Sequence, residues 1–192
     1  QYKISVPKST LNNIYRKVKN YPWKMIQNVN GWEYGTNYNF LKKISQYWVS
    51  KYNWKKFENK INSFKNYRTN VDGINIHFII EKSKNPKSRP LLLLHGWPGS
   101  VIEFFDIIPR LAHPENYGGK IEDGFDVIVP SLPGFGFSTP IKKALGPRKI
   151  GKILNKFMVK NLGHKNYIVQ GGDWGATIAA WIGLDSAQYC KG

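Results

Sequence analysis

From Pro90 onward the chain alternates apolar runs with helical periodicity, and this constrains its fold more than any other feature. Residues 90–95 are a continuous apolar run, with the aliphatic Leu91 to Leu94 at its heart. Residues 100–111 follow as a helix, with Ser100 and Glu103 spaced as a capping box. Residues 125–130 are a second apolar run. Residues 148–162 form a helix with Ile150, Ile153, Leu154, Phe157 and Met158 on one face. Residues 167–170 are a third run, and residues 174–184 open a last helix. Strands without polar alternation are buried on both faces. The order therefore predicts an α/β fold, a doubly wound and mostly parallel sheet with helices on both sides.

The first 90 residues read differently. They carry 15 Lys and 3 Arg against 4 acids, a net charge of +14, while residues 91–192 carry only +3 of the chain's +17. Short helices are expected at 11–18, capped by Ser9 or Thr10, at 40–51 and at 54–64. Leu41, Ile44, Tyr47 and Trp48, then Trp54, Phe57, Ile61 and Phe64, recur at helical spacing. That spacing predicts buried rings with lysines on the solvated face. A nucleic-acid partner is rejected on that ground; attraction to an anionic membrane surface suits the charge better. Residues 67–71 and 74–80 flank Asp72-Gly73, a hairpin signal. The expected division is an N-terminal extension over 1–88 (helices, then the hairpin) and an α/β unit over 89–192. No run of 18 apolar residues exists, and a single Cys190 excludes an internal disulfide.

Three strings carry chemistry. Gly171-Gly172-Asp173-Trp174-Gly175-Ala176 follows a strand and opens a helix, the setting of a nucleophile elbow, with Asp in place of the usual Ser. A carboxylate at a helix N-terminus is held ionised by the free N–H groups and the dipole. Asp173 as a plain N-cap is the competing reading of the hexapeptide alone. His95-Gly96-Trp97-Pro98-Gly99-Ser100 belongs beside the elbow, at the C-terminal edge of the sheet where ligands bind. There the backbone N–H groups of Trp97 and Trp174 can pair as an oxyanion hole. His95 itself is expected to bond the loop, and Trp97-Pro98 is a candidate cis peptide. Gly134-Phe135-Gly136-Phe137-Ser138 is the third string, weak by itself. His77, His113 and His164 lack ligand-like spacing, so neither a metal site nor a cofactor is expected.

These strings, in this order, resemble the epoxide hydrolases of the α/β-hydrolase superfamily. Trp32-Glu33-Tyr34-Gly35, Tyr47-Trp48, Tyr52-Asn53-Trp54 and Asp72-Gly73-Ile74-Asn75-Ile76-His77-Phe78 resemble the extension of the microsomal and insect juvenile-hormone type. The resemblance implies Asp173 as the nucleophile that opens an epoxide and becomes an ester. It implies Trp97 and Trp174 as oxyanion-hole donors, with Trp97 also lining the pocket. The implied partner is a small lipophilic epoxide. Haloalkane dehalogenases, which also place Trp after the elbow Asp, are the nearest rival; a ligand-binding relative without catalysis is another.

The family also needs a relay acid, a base histidine and lid tyrosines after the elbow. No His follows Asp173, and Asp185 and Tyr189 stand too close to it. The expectation is an N-terminal fragment of a longer enzyme, or a short paralogue that has lost catalysis. The expected location is the endoplasmic reticulum membrane if an upstream anchor was lost, and otherwise the cytoplasm.

Overall fold

The structure, a computed structural model, describes residues 1–27 and 31–192. It comprises two compact units, residues 4–60 and residues 1–3 with 61–192. This division precedes the β-hairpin, whereas the division expected from the sequence, at 88/89, follows it. The two differ because the hairpin is hydrogen-bonded into the sheet of the larger unit.

The smaller unit contains α1 (Lys8–Lys19), a 3₁₀ turn Trp23–Met25, α2 (Tyr38–Ser50) and most of α3 (Trp54–Asn62). Helix α1 starts before the expected Ser9 or Thr10 cap. Pro7 is the N-cap, with φ fixed at −57°, and no side chain caps the helix. Asn37 caps α2, its Oδ1 accepting Phe40 N–H at 3.0 Å. Helices α1 and α2 pack on one another. The buried carboxylate of Glu58 accepts Val6 N–H at 2.7 Å and Trp54 Nε1–H at 3.1 Å, and pairs with Lys55. The expected burial of the α2 stripe does not occur: Leu41, Ile44, Tyr47 and Trp48 are all exposed, Tyr47 by 57%. Periodicity records an apolar stripe but not whether a neighbour covers it, and α1 does not cover this one.

The larger unit holds β1 (Asn66–Val71), β2 (Ile74–Glu81), β3 (Pro90–Leu94), β4 (Asp126–Pro130) and β5 (Ile168–Gly171) in the order β1-β2-β4-β3-β5. Strands β3, β4 and β5 are parallel, as their apolar runs predict. The hairpin adds two antiparallel strands, β2 pairing with β4 from Phe78↔Pro130 to Glu81↔Val127. Beyond β5, Lys191 N–H donates to Tyr167 O at 2.9 Å and Val169 N–H to Gly192 O at 2.7 Å.

Helices cover both faces. Helix α5 (Pro147–Lys156), a π-turn Phe157–Asn161 and α6 (Trp174–Asp185) bury Leu154, Phe157 and Ile178 against Leu92, Leu94 and Ile128. On the other face α4 (Ile108–Ala112) lies over β4 and β2. The single helix expected over 100–111 is broken into a 3₁₀ turn, Val101–Phe104, and α4. Pro109 is the cause, because it has no N–H to give Phe105 and its ring would strike that carbonyl. The Ser100/Glu103 capping box is present.

Candidate active site

The C-terminal ends of β3, β4 and β5 bring the three motif loops together. Strand β5 runs into Gly172, and the chain then reverses at Asp173, with φ 52° and ψ −122°, to enter α6. A non-glycine residue there is strained. Neighbouring packing holds it: a Cβ on Gly175 would lie 2.2 Å from Leu94 O and 2.8 Å from His95 O. Helix α6 thus starts in backbone contact with the end of β3, which lifts the exposed Asp173 to the crest of the turn.

Trp97 N–H donates to Asp173 Oδ1 at 2.8 Å. The backbone N–H groups of Trp97 and Trp174 hold the Asp173 carboxyl below the usual carboxylate range, outweighing the opposing effect of partial burial. The acid is therefore an ionised carboxylate at neutral pH. The structure thus brings together the three residues singled out in the sequence. Both tryptophans are exposed, Trp97 by 67% and Trp174 by 40%. Trp97-Pro98 is cis. Gly96 packs against the acid so closely that a Cβ there would come within 2.5 Å of Asp173 Cβ and Oδ1.

The post-β4 loop is closed by Gly134 N–H to Ser138 O at 3.1 Å, with positive φ at Gly134 and Gly136. It is anchored from two sides by histidines. His95 is fully buried and bonds both Gly96 O and Leu132 N–H, the loop-bonding role its position predicts. His77, passed over in the sequence for want of a metal partner, is also fully buried. Its ring bonds Ser131 Oγ and Asn66 Oδ1, both at 2.9 Å, and its backbone N–H donates to Ser138 Oγ. The available signal was a lone imidazole between Ile76 and Phe78 in an apolar strand. Asp185, too close in sequence to Asp173 to be its relay acid, is bound at the far end of α6 by two 2.8 Å bonds from Arg148. Among the described residues no group of three or more His, Cys, Asp or Glu is placed to hold a metal ion, and no helix is long and apolar enough to cross a membrane.

Comparison with known proteins agrees with this geometry. The family described as "Epoxide hydrolase N terminus" matches residues 1–104, and that described as "alpha/beta hydrolase fold" matches residues 89–192. Epoxide hydrolase 1 of Oryctolagus cuniculus is 36% identical over 196 residues, covering 100% of this chain and 43% of that protein. Juvenile hormone epoxide hydrolase 1 of Ctenocephalides felis is 37% identical over 182 residues, covering 92% and 38%. The crystal structure of juvenile hormone epoxide hydrolase from the silkworm Bombyx mori superposes with a TM-score of 0.82 at 32% identity, covering 98% of this chain and 50% of that one. The chain spans half or less of the length of these relatives. With an Asp elbow on a mixed α/β sheet and both halves of its length matched, the chain belongs to the epoxide hydrolase family of the α/β-hydrolase fold.

Proposed function

We propose that Asp173 is the nucleophile of an epoxide hydrolase acting on a small lipophilic epoxide, and that it works through a covalent ester. The observation that carries the reading is the 2.8 Å bond from Trp97 N–H to Oδ1 of a carboxylate raised on a strained turn. With Oδ1 occupied, Oδ2 attacks an epoxide carbon. The C–O bond of the strained ring breaks, the departing alkoxide takes a proton from an acid, and an alkyl ester of Asp173 remains. Water, deprotonated by a base, then adds to Cγ. Negative charge gathers on Oδ1, to which the Trp97 N–H already donates, while the Trp174 N–H also bonds the carboxyl. Collapse breaks the Cγ–Oδ2 bond: Oδ2 leaves with the vicinal diol, taking the proton of the new Cγ hydroxyl, the water oxygen completes the restored carboxylate, and the proton held by the base replaces the one given by the acid. The exposed Trp97 indole supplies an apolar wall for the substrate.

No histidine follows Asp173, and Asp185 is engaged by Arg148. In the 192-residue chain, which offers the nucleophile and the donors, the alkoxide takes its proton from solvent, and no histidine after the elbow is present to activate the hydrolytic water. The chain should accumulate ester rather than turn over. Brief exposure to styrene oxide followed by intact-mass and peptide spectrometry should show a mass gain of one epoxide on Asp173, absent in Asp173→Ala. An equal adduct in the variant moves the nucleophile elsewhere, and steady diol release by the isolated chain refutes the arrest.

A further inference from the structure

Resting on the reading of Asp173 as nucleophile, we infer that His95 is a positioning residue that orients and polarises the peptide group holding the Asp173 carboxylate. Gly96 C=O and Trp97 N–H are the two ends of one planar peptide unit. His95 Nδ1 bonds the carbonyl end at 2.9 Å, and Asp173 Oδ1 accepts from the N–H end at 2.8 Å. The tautomer is fixed by a third bond. Leu132 N–H donates to His95 Nε2 at 3.1 Å, so Nε2 is the acceptor and Nδ1 carries the proton. The chain of donors therefore runs from the imidazole N–H into the Gly96 carbonyl and out through the Trp97 N–H to the carboxylate. Donation to a peptide carbonyl strengthens the N–H of the same peptide as a donor, more so in a dry environment.

The surroundings suit this role. The ring is fully buried and stands edge-on to Phe135, with centroids 5.5 Å apart. Burial pushes its basicity down, against the opposing influence of the Gly96 carbonyl and Glu103, which keeps the ring neutral and Nε2 free to accept. The Leu132 bond ties the post-β3 loop to the post-β4 loop, so the ring cannot turn without breaking two contacts.

Two substitutions separate the half that faces Gly96 from the half that faces Leu132. An Asn amide nitrogen can occupy the place of Nδ1 and keep the bond to Gly96 O; a Gln amide reaches the place of Nε2 and keeps only Leu132. The readout is the carboxyl pKa of Asp173, followed by carbon NMR of ¹³C-Asp-labelled chain. His95→Gln should raise it by about half a pH unit, through a weaker Trp97 donor, while His95→Asn should leave it near the parent value. An unmoved carboxyl in folded His95→Gln, or equal shifts in both variants, overturns the proposal. If either variant fails to fold, the parent decides: nitrogen NMR of its imidazoles must show His95 protonated at Nδ1 and bare at Nε2, and the opposite tautomer overturns the proposal. No epoxide enters this test, so its failure is distinct from failure of the adduct experiment.

Discussion

Gly175 tolerates no side chain, whereas Gly183, two turns further along α6, meets nothing within 4 Å of an added Cβ. The same substitution should therefore have opposite signs on one helix. Gly175→Ala drives a methyl into the Leu94 carbonyl, a group fixed by its place at the end of β3, and should cost about 3 kcal/mol of stability. Gly183→Ala should add about 0.5 kcal/mol by raising helix propensity. Urea denaturation of the two variants checks both signs. Gly96→Ala meets a softer obstacle, the Asp173 side chain itself. It should displace the carboxylate from Trp97 N–H, raising the Asp173 pKa, which NMR titration of the carboxyl would detect. The close packing behind these predictions was legible as small residues around an Asp, but their distances were not. The positive φ of Asp173 is imposed by backbone contacts with the end of β3, about eighty residues away in sequence.

Elements were legible where a local signal and a buried face coincide. Asp72-Gly73 sets the hairpin between β1 and β2, and the aliphatic runs mark β3 and β4. Where the signal is local but the partner remote, sequence pattern and structure part. The stripe on α2 has helical spacing yet remains exposed, and Pro109 splits a helix that periodicity alone would continue. The cap of α2 tests how far this helix depends on local bonds, since α2 has no buried residue. With little packing to support it, Asn37→Ala should cost the smaller unit about 1 kcal/mol, while Asn37→Ser should be close to neutral. Amide exchange in the first turn of α2 is the suitable measurement; equal protection in the alanine variant and the parent would show that packing rather than the cap holds the turn.

At the scale of the molecule, His77 joins parts of the larger unit that the sequence keeps far apart. Asn66 Nδ2 donates to Ile61 O and Phe64 O, both at 2.8 Å, which turns its Oδ1 toward His77 and fixes the proton on Nε2. Nδ1 then accepts from Ser131 Oγ, while Ser138 Oγ donates to Ser131 O at 2.7 Å. Strand β1, strand β2 and the post-β4 loop thus meet on one neutral ring, flanked edge-on by Phe137 and Tyr2. Burial first, and the charge of Arg68 second, lower the His77 pKa from 6.5 to about 4. The unfolded chain therefore takes up this proton before the folded one does. The contribution to stability is complete above pH 6.5 and is lost as pH falls from there through about 4. By pH 5 the loss from this residue should be about 2 kcal/mol. His77→Gln keeps a polar side chain but cannot titrate, so it should be less stable than the parent at pH 7.5 and lose less on acidification. Denaturant unfolding of both proteins at pH 7.5 and pH 5 compares the two slopes directly. Identical slopes would mean that the ring is protonated within the fold, with Ser131 Oγ turned to accept rather than donate.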